Sequence, residues 1–159
     1  MKYLMILITL ISLTSCQMVV NLATDIDGAN KVRDHQLYYL PEFETLDTPV
    51  KIGSWIKEHV TYDAKRDDIG TWNNPVATLS LGYGTCADYA ILFLNIAHFG
   101  MHQDGDFIMC KSPYNRSIEA GGDVGHAMVR IGGQIIEPQS GLFKQVEVGY
   151  SYSFSEVFN

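Results

Sequence analysis

The chain has 159 residues, with 18 acidic against 11 basic side chains and a formal charge of −7. That balance excludes the basic footprint of a nucleic-acid binder. Beyond the N-terminus no apolar run is long enough to span a bilayer, so the remainder is expected to be soluble.

The N-terminus reads as an address. Lys2 is followed by a short apolar run, Leu4 to Ser12, and then by Leu13-Thr14-Ser15-Cys16. Such a run is too short for a permanent membrane helix and has the layout of a signal peptide, residues 1–15. Small residues ahead of Cys16 match the site at which bacterial lipoproteins are cleaved and acylated, the thiol carrying the lipid through a thioether. An ordinary secretory signal is the alternative. With Cys16 acylated the protein is expected on a membrane of the cell envelope, and Gln17 favours the periplasmic side of the outer membrane in a Gram-negative host. The mature chain of 144 residues loses only Lys2 among its charges, so it carries 10 basic and 18 acidic residues, a formal −8. That length suits one domain with a real core. Residues 16–45 are read as the lipidated cysteine and a tether that becomes ordered progressively, and 46–159 as the folded domain.

Within the domain, Asp47-Thr48-Pro49 is a helix start, a capping side chain ahead of a proline at the first helical position. Ile52, Trp55, Ile56, His59 and Val60 then fall on one helical stripe, with His59 as a packing histidine. Residues 63–74 form a polar loop in which Asp67-Asp68 is a solvated charge pair. Asn74-Pro75 opens a short second helix with Ala77, Leu79 and Leu81 available for packing. Gly82-Tyr83-Gly84-Thr85 is expected as a tight turn, followed by an apolar helix from Cys86 to Phe99, closed by Gly100. That helix is apolar nearly all round and should be buried on most sides. His98 and His102, flanking Gly100, are expected to be solvated. Phe107–Cys110, His126–Ile131, Gln134–Glu137 and Tyr150–Phe154 read as strands, Gly132-Gly133 turning a hairpin between the second and third. Helices first and antiparallel strands after give an α+β layout.

Cys86 and Cys110 remain after Cys16 is lipidated. Exported domains often pair cysteines, so a Cys86–Cys110 disulfide is one reading. The setting of Cys86 supports another. A cysteine that opens a helix after a Gly-x-Gly turn has free N–H groups and the positive end of the helix dipole beside it, which favour thiolate. The same N–H groups can receive an oxyanion. Gly125-His126-Ala127 supplies a histidine at the head of a strand, and the hairpin returns Glu137 towards it. Nucleophile, base and orienting carboxylate are the three roles of a cysteine-hydrolase triad. A buried cysteine with an unrelated histidine is the plain alternative; so is Gln134 or Asn115 orienting His126 while Glu137 is solvated. Cys110, in an apolar strand, reads as a small core residue. Asp88 is expected to favour the helix start.

At these residues the chain resembles the transglutaminase-like superfamily, and among its members the bacterial transglutaminase-like cysteine proteinases. The resemblance lies in Trp72-Asn73-Asn74-Pro75-Val76-Ala77-Thr78-Leu79, Gly84-Thr85-Cys86-Ala87-Asp88-Tyr89-Ala90, His126-Ala127 and Glu137-Pro138. It implies a papain-like α+β fold, a central helix bearing Cys86 packed on an antiparallel sheet bearing His126. It also implies a catalytic set of Cys86, His126 and Glu137, with Trp72, Tyr83, Gly84 and Thr85 as substrate or oxyanion neighbours; packing alone is the other reading of Trp72. Some relatives hold calcium through carboxylates on both sides of the cysteine. Thr85 and Ala87 stand there, so no metal is expected, and no cofactor. Glu137 replaces the usual Asp, and Met128 a common aromatic. The implied activity is a peptidase or amidase working through a thioester acyl-enzyme on envelope protein or peptidoglycan peptide, as a monomer. Protein cross-linking on the same site, or an inactive binding-only envelope lipoprotein of the same fold, are the alternatives.

Overall fold

A computed structural model describes residues 35–63, 72–111 and 125–158, all within the compact unit Val32–Asn159. The signal peptide, Cys16 and most of the tether, Asp67-Asp68 and Asn115 lie outside the described residues. Among those described, no helix is long and apolar enough to cross a membrane.

Residues 35–45, expected as the ordering end of the tether, are tied to the domain. His35 donates its N–H to the Val157 carbonyl at 2.9 Å, and Pro41–Thr45 forms a 3-10 helix that buries Phe43 completely. Helix α1, Pro49–His59, starts as the sequence indicates: Thr48 caps it, accepting from Lys51 N–H at 3.3 Å. Ile52, Gly53 and Ile56 form its buried face. Trp55 packs against the core and Val60 is buried in it, so of the expected stripe only His59 turns outward. His59 is exposed, its ring stacked on Trp55 at 4.0 Å and its Nδ1 2.7 Å from the Trp55 carbonyl.

Strand β1, Thr61–Tyr62, leads to helix α2, Pro75–Leu81, capped by the Asn74 side chain on Ala77 N–H at 2.8 Å. Its buried residues are Pro75 and Thr78; Leu81 is exposed, against expectation. Gly82, at φ +68°, ends the helix in the left-handed conformation that glycine adopts without strain. The next two residues correct the expected turn: Tyr83–Gly84 is strand β2, parallel to β1. Helix α3, Cys86–Gly100, follows at once. Gly100 lies inside its last turn rather than closing it. A Cβ there would sit 2.4 Å from the Phe43 carbonyl, so the 3-10 helix can approach only a glycine.

Strands β3 (Asp106–Lys111), β4 (His126–Ile131), β5 (Gln134–Glu137), β6 (Leu142–Phe143) and β7 (Glu147–Tyr152) make an antiparallel sheet in the order β6-β5-β4-β3-β7. Gly132 and Gly133 turn the β4–β5 hairpin at φ +58° and +80°, as type I′ geometry requires. The last expected strand is displaced: β7 ends at Tyr152, and Phe154–Val157 forms helix α4, started by Ser153 with Glu156 accepting its N–H at 2.8 Å. Alternation along β4 divides the core. Ala127, Val129 and Ile131 join the buried residues of α3, while Met128 joins Ile108 and Cys110 in a smaller cluster. The result is α+β, one almost wholly buried helix against an antiparallel sheet, with α1 and α2 flanking the helix.

Candidate active site

Cys86 is the first residue of α3 and half-buried. Being first places its N–H among those of the opening turn, which have no acceptor inside the helix. The residue before it, Thr85, is buried, and its N–H is taken by the Asp88 carboxylate at 2.8 Å. That is one half of a capping box; in the other half the Thr85 side chain faces the Asp88 N–H.

His126 opens β4 and Glu137 closes β5, so the antiparallel hairpin brings both to one end of the sheet. His126 Nε2 and Glu137 Oε2 are 2.8 Å apart, with side chains only 20% and 16% exposed. Glu137 Oε1 accepts from Gln139 N–H at 3.4 Å, and the Glu137 carbonyl accepts from Ser140 and Gly141. With Nε2 turned to Glu137, Nδ1 is the ring nitrogen left for the Cys86 thiol, which hydrogen-bonds His126. Burial alone would push the imidazole down. The hydrogen bond to Cys86, the one to Glu137 and the charges of both partners outweigh it and push His126 up to about 10. An imidazolium is therefore held beside Cys86 at neutral pH. Gln134, the other described candidate for orienting His126, is exposed at the opposite end of β5.

Cys110 is the cross-strand partner of His126, yet chemically unlike Cys86. It is buried, and burial, then the charges of Glu137 and Cys86, push its thiol up to about 11. Both cysteines are free, so the disulfide reading is not what the structure shows.

The remaining neighbours divide. Trp72 is half-buried and stacks on Phe107, ring centroids 5.3 Å apart. Tyr83 is exposed, and Gly84 is buried with its carbonyl accepting from Asp63 N–H at 2.9 Å. Thr85 N–H is already committed to Asp88 and is not open to a further acceptor. Asn73 is a residue that sequence reasoning passed over: its N–H is 2.6 Å from the same Asp88 carboxylate. The Thr85-x-x-Asp88 spacing signals the cap, but nothing local signals the bond to Asn73. At the far end of α3, His98 bonds Asp104 at 2.7 Å and stacks on Phe154, so it is partnered rather than merely solvated. Among the described residues no group of three or more His, Cys, Asp or Glu is arranged to hold a metal ion.

No curated protein matches the sequence. A family model described as a transglutaminase-like domain matches residues 31–132, which is 102 of the 159 residues. The match takes in Cys86 and His126 and stops short of Glu137. Such a domain points to cysteine hydrolase or transferase chemistry. With a helix-opening cysteine against a strand-opening histidine and a family match over most of its length, the chain belongs to the transglutaminase-like domain family.

Proposed function

We propose that this protein is a cysteine hydrolase, a peptidase or amidase of the cell envelope held on a membrane by a lipid on Cys16. The observation that carries the chemistry is the contact chain from Cys86 through His126 to Glu137. In this reading the Cys86 thiolate attacks an amide carbonyl and an S–C bond forms. The C–N bond then breaks as His126 gives its proton to the leaving amine, which leaves a thioester on Cys86. Water, with His126 now acting as base, releases the acid and restores the thiol. Glu137 accepts the imidazole N–H and stabilises the imidazolium without taking the proton. Hydrolysis is favoured over cross-linking because a domain this small has little surface for a second site that would hold an acceptor amine. Envelope protein or peptidoglycan peptide is the substrate class that the resemblance suggests.

The test uses the full chain in detergent. At mildly acidic pH, where ordinary thiols are protonated, iodoacetamide should alkylate Cys86 far faster than Cys110, and His126→Ala should slow it. Incubation with envelope proteins or muropeptides should leave an acyl group on Cys86, detectable by mass after an acid stop and absent in Cys86→Ala. Equal, slow alkylation of both thiols would count against the hydrolase. Mass spectrometry of the mature N-terminus should find an acylated Cys16; an unmodified Cys16 would remove the anchor and leave the chemistry standing.

A further inference from the structure

Asp88 is one of the most deeply buried charged residues of the domain, 1% exposed, and lies two residues beyond the candidate nucleophile in the first turn of α3. Its carboxylate does more than cap α3. One oxygen takes Thr85 N–H at 2.8 Å, and the other takes Asn73 N–H at 2.6 Å, with Asn73 Nδ2 at 3.5 Å from the first. Two chain segments are thus fastened to one side chain: the residue before Cys86 and the residue after Trp72. Gly84 makes room for this. A Cβ on Gly84 would lie 2.8 Å from the Asp88 Cβ and 3.2 Å from its Oδ2. At the start of the helix Asp88 is thus both the N3 residue of the capping box and the tie to the Trp72 segment.

We infer that Asp88 is a positioning residue for acylation, holding Cys86 N–H and the Trp72 segment in the arrangement that receives the oxyanion. The inference rests on the proposed cysteine-hydrolase reading. When thiolate attacks a carbonyl, the S–C bond forms and the π electron pair moves to oxygen; donors fixed beforehand stabilise that charge without reorganising. Asp88 touches neither substrate nor thiol. It acts through the backbone of Thr85 and Asn73, by fixing where the first N–H of α3 points and where the Trp72 ring stands over Phe107.

Two thiol reactions separate this role from thiolate formation and from folding. Alkylation by iodoacetamide forms an S–C bond and expels iodide, with no oxyanion. Acylation by p-nitrophenyl acetate forms the tetrahedral oxyanion and then expels nitrophenolate. In Asp88→Asn one acceptor oxygen replaces two, so the amide NH2 must face either Thr85 N–H or Asn73 N–H and one of the two fastenings is lost at nearly constant volume. Acylation of Cys86 should fall at least about tenfold, less than the ~10²–10³ for outright loss of one oxyanion donor. Alkylation should stay near the wild-type rate. Gly84→Ala, which pushes on the same carboxylate, should show the same split, and Asn73→Ala, which keeps the backbone N–H, should acylate almost normally. Equal loss of both reactions in Asp88→Asn, or loss of neither, overturns the inference while a wild-type acylation burst keeps the hydrolase reading. No burst in the wild type sinks that reading and the inference with it.

Discussion

His126 resolves two opposed tendencies, since burial favours the neutral ring while Cys86 and Glu137 favour the charged one, and the partners win. The imidazolium is the acid that the leaving amine needs, so kcat/KM should hold until pH rises through about 10 and fall beyond it. Glu137→Gln keeps the shape but removes a charge and weakens a hydrogen bond that both raise His126. The alkaline limb should therefore move to lower pH, and turnover should drop by roughly 10²-fold. That is less than the ~10⁴-fold loss when a serine protease's orienting Asp is changed to Asn, because a thiolate is the stronger nucleophile. Glu137→Asp should fall between. An unchanged limb and wild-type turnover in Glu137→Gln, with His126→Ala inactive, would remove Glu137 from the mechanism. Cys86 and His126 were legible because their signals are local: Gly82-Tyr83-Gly84-Thr85 ahead of a helix, and a glycine before a strand-opening histidine. Glu137 followed from hairpin register, since Gly132-Gly133 fixes which residues of β4 and β5 share an end. The Asp88–Asn73 bond was not legible, because it joins residues 15 apart on either side of α2 and β2, whose packing against α3 the sequence does not specify.

Among the elements, those with caps or long periodic faces were readable, and those made by contact were not. α1 and α2 announce themselves through Thr48-Pro49 and Asn74-Pro75, and β4 and β5 through their hairpin glycines. Strand β2 is two residues long and exists only because Thr61–Tyr62 comes alongside, so Gly-x-Gly reads locally as a turn. Tyr150, Tyr152 and Phe154 alternate like a strand, but Ser153 with Glu156 three residues on is a helix-start signal, and it prevails. Asn95 is another contact that periodicity hides. It lies fully buried in α3, its Oδ1 accepting Tyr38 N–H and its Nδ2 donating to the Tyr38 carbonyl, each at 2.8 Å. The side chain does for Tyr38 what a neighbouring strand would do, and so pins residues 35–40 to the central helix. Asn95→Ala should cost about 1–3 kcal/mol, the penalty for leaving partly buried polar groups unpaired. The loss should be local at first, with Tyr38 amide exchange rising well before the exchange of α3. Unaltered protection at Tyr38 would mean that the segment is held by Phe43 and the His35–Phe158 bridge alone.

For the domain as a whole, the same imidazole that serves the site should be visible in its stability. Folding raises His126 from 6.5 to about 10, so the native state holds a proton that the unfolded chain releases at lower pH. A group raised in this way gives its full stabilisation below 6.5 and loses it as pH climbs through its folded value. Other shifted groups among the described residues act elsewhere. Cys110 is raised from 9.0 to about 11, with the same sign but only above 9. Tyr39 and Tyr89 are raised from 10.0 and act higher still, and Asp47 is lowered from 3.8 and acts in acid. In the wild type a proton passed from Cys86 to His126 leaves the total unchanged, so the test replaces the thiol. Urea unfolding of Cys86→Ser, the background for the variants that follow, should give a stability that declines from pH 6.5 towards 9, by at most ~1.4 kcal/mol per pH unit for one proton. His126→Gln shifts the absolute stability by whatever contacts it loses, but it removes the titrating group, so its profile should be level there. Glu137→Gln keeps the imidazole and lowers its hold on the proton, so its decline should begin at the same pH and end sooner. A Cys86→Ser profile level from pH 6.5 to 9 would mean that Glu137 does not hold a proton on His126, and the orienting carboxylate would have to be given up.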